Sequence, residues 1–96
     1  MALASPSPVV ELNRAAAVAM AEGPEHGLRL IDRPEVAGPL DGYIWLHAAR
    51  AELLRRLGRR SEARLAYSRA LALTDNRAER AYLEGCLAVA GSAPEQ

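Results

Sequence analysis

Gly23 and Gly58 lie 35 residues apart, and each closes a long run with helical hydrophobic spacing. Glycine just past such a run is a helix stop, because it enters backbone conformations that other residues resist. A short turn and a second helical run follow each stop, and Gly27 and Ala63, the small residues opening those second runs, lie 36 apart. A long helix, a tight turn and a second helix, repeated at this interval, predict stacked antiparallel helical hairpins. One hairpin cannot bury its own apolar face, so two hairpins and a closing helix make a minimal stack. Composition agrees. The 96 residues include no Phe, one Trp and three Tyr, and about a fifth are Ala. A core of Leu, Ala and Val suits close-packed helices better than a sheet. No segment alternates polar and apolar residues as a half-buried strand would. The expectation is an all-α fold.

Local signals place the boundaries. Ser7 followed by Pro8 has the form of an N-cap and first helical position, opening a helix over 8–22. A shorter helix over 24–32 follows, then a loop over 33–42 that holds two Pro and two Gly. Asp41 is the expected cap of a third helix over 42–57, and Ser61 opens a fourth to about residue 74. Asn76 and Glu79, three residues apart, predict a capping box for a fifth helix over 76–90. About five helices are therefore expected in one domain over 8–90, with a disordered lead-in over 1–7 and a disordered tail over 91–96.

The fourth helix carries a sharper pattern. Ala63, Tyr67 and Ala70 follow Gly58 at the small–x3–aromatic–x2–small spacing that resembles the second helix of a tetratricopeptide (TPR) repeat. Small residues let two backbones approach, and the ring fills the gap between hairpins. The preceding helix departs from that repeat: His47, Arg50, Ala51 and Leu54 stand where it expects Trp, Leu, Gly and Tyr. The reading is TPR-like.

Charge and reactive side chains narrow the function. Twelve Arg balance twelve Asp plus Glu, so the chain as a whole is no polyelectrolyte seeking nucleic acid. The longest apolar run, residues 15–21, is far short of a membrane span. The first residues have neither a basic start nor an apolar core, so no secretory leader is expected and the cytoplasm is the expected compartment. Cys86 is alone and sits in a helical apolar pattern with Tyr82, Leu83, Leu87 and Ala90, which predicts a packed, inert thiol. His26 falls in a turn, and His47 borders the apolar face of the third helix. Neither belongs to a metal-ligand or nucleophile signature, so no catalytic, cofactor or metal site is expected.

Charge placement is more informative. Between residues 50 and 69 seven Arg face only Glu52 and Glu62, while residues 21–41 hold five acids against Arg29 and Arg33. The basic excess reads as a solvated turn with cations near a helix C-terminus, the alternative being a patch that docks on an acidic protein or on phosphate. Arg50 projects with Leu46, Leu53 and Leu57 into the apolar stripe, so its head must reach a carboxylate or water. Trp45, Glu52 and Arg56 share another face, and Trp45, Arg55 and Arg56 are the candidate lining of a concave partner groove. The first helix spreads apolar residues around most of its circumference, as an internal helix does. Leu12, Ala16 and Met20 are its candidate contact surface.

Three stretches resemble a specific family. They are Ser7-Pro-Val-Val-Glu-Leu-Asn-Arg-Ala-Ala-Ala-Val-Ala-Met-Ala-Glu-Gly-Pro, Gly42-Tyr-Ile-Trp-Leu-His-Ala-Ala-Arg-Ala-Glu-Leu-Leu-Arg-Arg-Leu-Gly and Ala66-Tyr-Ser-Arg-Ala-Leu-Ala-Leu-Thr-Asp-Asn-Arg-Ala-Glu-Arg. Together they look like the C-terminal TPR-like extension of a group of bacterial extracytoplasmic-function (ECF) RNA polymerase sigma factors. The phrase from Ser7 to Ala15 and the His47-Ala-Ala-Arg50 block are the distinctive parts. The resemblance implies a regulatory module that tunes sigma-dependent transcription by contacting the sigma regions of its parent protein or an RNA polymerase-associated protein. The regions that read promoter DNA are not among these 96 residues, so no direct DNA contact is expected. The alternative is a free-standing TPR-like adaptor that binds a peptide or helix of a partner. A small enzyme is a third class, disfavoured for want of convergent polar groups.

Overall fold

The computed structural model describes residues 7–92, with side chains described as far as Ala90. Its elements are six helices: α1 (Pro8–Glu22), α2 (Pro24–Ile31), α3 (Pro34–Ala37), α4 (Ile44–Arg56), α5 (Arg60–Ala72) and α6 (Arg77–Ser92). No strand occurs among the described residues, and the protein is all-α. The expected lead-in falls on residues 1–6, outside the described residues, and on the cap Ser7. Of the expected tail, residues 91 and 92 are instead the last residues of α6, whose helix continues past Ala90, and 93–96 lie outside the described residues.

Packing follows chain order. α1 pairs with α2 and α4 with α5 as antiparallel hairpins, α2 lies against α4 to join them, and α6 closes the stack on α5. The molecule measures 49 × 32 × 18 Å. With helices packing at roughly 8–10 Å between axes, the short dimension holds only two helix layers. Both broad faces of the stack are therefore open to solvent.

The two glycine stops build different joints. Gly58, at φ 78°, ends α4 in a Schellman motif: its N–H donates to Arg55 O at 3.0 Å and the Arg59 N–H to Leu54 O at 2.9 Å. Gly23, at φ 106° and ψ 154°, is the single residue between α1 and α2. The proline after it forces that extended ψ and opens α2 directly. Ser7 caps α1 as its sequence predicts, its hydroxyl accepting from Val9 N at 3.1 Å.

Three boundaries differ from expectation. The loop over 33–42 contains the sixth helix, α3, because Pro34 preorganises its first turn and Val36 finds a buried seat. Asp41 does not cap α4, whose N-cap position is Tyr43 with no side-chain cap. Likewise α5 starts at Arg60 with Arg59 before it, one residue ahead of Ser61. The capping box of α6 is present in altered form. Glu79 N donates to Asn76 Oδ1 at 2.9 Å, but the return bond runs through Thr74, whose hydroxyl accepts from Asn76 N and donates to Glu79 Oε1 at 2.6 Å. Arg80 then donates to Leu71 O and Thr74 O, satisfying carbonyls left open at the end of α5.

Small residues hold the hairpins together. Ala63, Tyr67 and Ala70 are all buried, as their spacing predicts, and so are Ala15, Ala19 and Gly27 where α1 meets α2. A methyl group on Gly27 would stand 2.6 Å from Ala19 Cβ and 2.8 Å from Ala15 O, whereas one on Gly85 would meet nothing within 4 Å. The same substitution should therefore have opposite signs. Gly27→Ala is expected to destabilise by roughly 1–3 kcal/mol through overpacking, and Gly85→Ala to stabilise by up to about 1 kcal/mol through helix propensity. Urea unfolding of the two variants checks this, and equal shifts would refute the close approach of α1 and α2.

Candidate functional site

The first helices of the two hairpins, α1 and α4, and the closing helix α6 present side chains to a common groove on one broad face. Leu12, Asn13 and Ala16 of α1 meet Trp45, Ala48, Ala49 and Glu52 of α4, with Tyr82 of α6 at the edge, around a space of about 270 Å³. Glu52 and Tyr82 also border a second lobe of about 510 Å³, shared with Arg55, Tyr67, Gly85, Cys86 and Val89. The two lobes adjoin at these residues. At the mouth of the groove the Trp45 and Tyr82 rings lie 6.4 Å apart at 54°, within the range of favourable aromatic pairs. Both rings reach solvent, Trp45 37% and Tyr82 60% exposed.

Glu52 organises the floor. One carboxylate accepts from Arg55 Nε (3.1 Å) and Nη2 (2.8 Å), from Arg56 Nε (3.0 Å) and, more weakly, from the Tyr67 hydroxyl (3.3 Å). Helical spacing makes this possible, since Arg55 and Arg56 stand three and four residues on from Glu52. Partial burial pushes the Glu52 carboxyl up, but hydrogen bonds and charge from Arg55 and Arg56 outweigh it and hold the pKa below the usual carboxylate value. Tyr67 moves the opposite way. Burial first, then the neighbouring Cys86 and Glu52, raise its phenol well above the ordinary tyrosine range, so it stays a neutral donor. Cys86 and Glu52 also push Tyr82 upward, Cys86 most strongly through a hydrogen bond.

The sequence candidates divide accordingly. Trp45 and Arg55 line the groove, and Arg56 flanks it through Glu52. Leu12 and Ala16, expected to form a separate contact surface on the first helix, face this same groove, and Leu12 is only 5% exposed. Met20 does not join them: it is 80% exposed and borders neither lobe. An eight-residue separation rotates it about 80° from Leu12 around the helix. Tyr82 and Cys86 need correction. Their spacing suggests a buried stripe, yet Tyr82 is open and the thiol is half-buried at the groove wall, because α6 packs on α5 and leaves its α4-facing side uncovered.

The opposed charge excesses meet across the fold. Arg50 reaches Asp32 at 2.7 Å, and Arg69 reaches Asp41 at 3.4 Å, so the second hairpin is tied to the acidic end of the first. Arg59 pairs with Glu62 at 2.8 Å. His47 is buried and its Nε2 donates to the Asp41 carbonyl at 2.6 Å. Because a carbonyl can only accept, Nε2 carries the hydrogen. The Arg50–Asp32, Arg69–Asp41 and His47–Asp41 contacts occupy a notch on the opposite side of α4, which Leu46, Leu65 and Ala66 also line. His26 is exposed, within α2 and not in a turn. Among the described residues no group of three His, Cys, Asp or Glu side chains could hold a metal ion, and no helix is long and apolar enough to cross a membrane.

Comparison with known proteins gives one relative to report. The chain is 49% identical over 78 residues to an uncharacterized protein of Rhizobium meliloti (strain 1021). That match covers 81% of this chain but 18% of the relative, so the similarity concerns a small part of a much longer protein. No family model matches the chain, and no solved structure matches it.

Two measurements test this geometry. The lowered Glu52 pKa means its ion pairs stabilise the fold above the unfolded carboxylate pKa and are lost as pH falls through the folded one. Glu52→Gln should therefore lower stability at neutral pH and flatten its decline on acidification, as thermal melts across that range would show. A double-mutant cycle on Arg50→Ala and Asp32→Ala should return a coupling of about 0.2–1 kcal/mol, as for partly exposed pairs. A coupling of zero would mean that this pair does not tie the hairpins.

Proposed function

We propose that this domain is a contact module of a bacterial transcription initiation factor, corresponding to the C-terminal TPR-like extension of an ECF sigma factor. It tunes sigma-dependent transcription by holding a segment of the sigma regions, or of a polymerase-associated protein, in the groove between α1, α4 and α6. The reading rests on one observation above others: a groove with exposed aromatic walls and a charged, hydrogen-bonded floor, assembled from α1, α4 and α6 with Tyr67 of α5. Aromatic and Arg side chains of this kind anchor protein partners. The 49% identity to a small part of a far longer protein supports a module working within a larger chain.

The distinctive blocks of the resemblance also have structural work in this domain. The Ser7 to Ala15 phrase supplies the α1 cap and Leu12, while His47 and Arg50 make the contacts to Asp41 and Asp32. The role is binding and not catalysis, in the cytoplasm, without direct DNA contact. At the Gly58 turn itself Arg59 is drawn into a pair with Glu62, which weighs against a phosphate-docking patch there. The free-standing adaptor remains the second reading, favoured by a groove whose lining residues Leu12 to Val89 come from the helices of one domain.

Tagging the chromosomal copy and purifying the product under native conditions separates the two readings. The regulatory reading expects a product several times larger than 10.3 kDa that brings RNA polymerase subunits with it. A product of 10.3 kDa, free of polymerase, would overturn it in favour of the adaptor.

A further inference from the structure

Charge around α4 is distributed unevenly between its two sides. On the notch side Arg50 has Asp32 and Arg69 has Asp41, one acid for each base. On the groove side Arg55 and Arg56 share Glu52, which also accepts from Tyr67. Among the described residues Glu52 and Arg55 are the charged pair that borders the lobes, and Arg56, just beyond the lining, makes the Arg55–Glu52–Arg56 cluster one positive charge in excess. Both guanidiniums remain open to solvent, at 37% and 42% of their side-chain surface. The surrounding walls are apolar or aromatic: Leu12, Ala16, Trp45, Ala48, Tyr82 and Val89.

From this we infer that the groove takes an acidic amphipathic segment of a partner protein, with a carboxylate against Arg55 and Arg56 and apolar side chains against Trp45, Tyr82 and Val89. The inference rests on the contact reading above and names the chemistry of what is held. Arginine suits the task because its planar fork keeps donors to spare after one carboxylate is bound. A basic segment would meet uncompensated positive charge on a low-dielectric wall and be rejected. An uncharged segment would forgo the ion pair and leave the excess charge partly desolvated. Val89 lies seven residues from Tyr82, a separation of about 10 Å along α6, so the apolar wall spans about two turns of a docked helix or a few residues of an extended strand.

Trp45, the only tryptophan, and Cys86, the only cysteine, are built-in reporters of occupancy. A displayed library of random short peptides should be panned against the intact 96-residue chain, and the enriched peptides titrated while Trp45 emission is followed. The expected result is enrichment of peptides with Asp or Glu beside aliphatic or aromatic residues. These should shift Trp45 emission and slow alkylation of Cys86. Arg56→Ala, which balances the floor while leaving Arg55 on Glu52, should weaken them about fivefold or more and reduce their salt dependence. Arg29→Ala, which removes an equal charge from α2 outside both lobes, should not weaken them. Enriched peptides that are basic or uncharged but still shift Trp45 emission would overturn the acidic inference and leave the contact reading standing. If nothing is enriched, or the enriched peptides leave Trp45 and Cys86 unaffected, both fall.

Discussion

The fold depends on how closely two helices can approach when the residues between them are almost nothing. At the contact of α1 with α2, Gly27 faces Ala15 and Ala19 with no room for a methyl group. In α5, Ala63, Ala66 and Ala70 are buried in the same manner against its neighbours. With no Phe and Tyr67 as the one aromatic ring among the buried described residues, the core is built mainly from Leu and Ala and its helices sit close. Ile31, Leu54 and Leu83 are the largest side chains that are fully buried.

The molecule is also thin. Two helix layers in 18 Å leave no third layer to cover either broad face. The structure treats its two faces differently. One is occupied by internal ion pairs and the buried His47, which bind the acidic end of the first hairpin to the second. The other is left with aromatic rings at solvent and with Arg55 and Arg56 on one carboxylate. Tyr67 links the two levels of organisation, since its ring belongs to the core and its hydroxyl to the Glu52 floor.

The fold was largely legible from residue spacing. Helix stops at Gly23 and Gly58, the Ser7 cap and the buried Ala63, Tyr67 and Ala70 are local events, set by backbone preference and helical period over a few residues. α3 escaped because a four-residue helix carries no period to detect, and it forms where Val36 is buried by the rest of the molecule. The Asp41 cap failed for a related reason. Its carbonyl takes the His47 hydrogen and its carboxylate takes Arg69, partners 6 and 28 residues away.

The candidate site was legible in its parts and not in its assembly. Trp45, Arg55 and Arg56 share a helix, so a wheel can group them, and Leu12 and Ala16 stand out on the first helix. That these two sets face one groove depends on the angle at which the hairpins stack, and no local pattern encodes it. The openness of Tyr82 and Cys86 likewise comes from α6 resting on α5 and leaving α4 uncovered. Residue spacing set the all-α class, the helix stops and the small residues that seat the hairpins, because those choices are made within a turn or two of backbone. Which carboxylate answers Arg50, which face keeps an unbalanced charge and where the groove opens were settled by long-range packing, which brings those groups together.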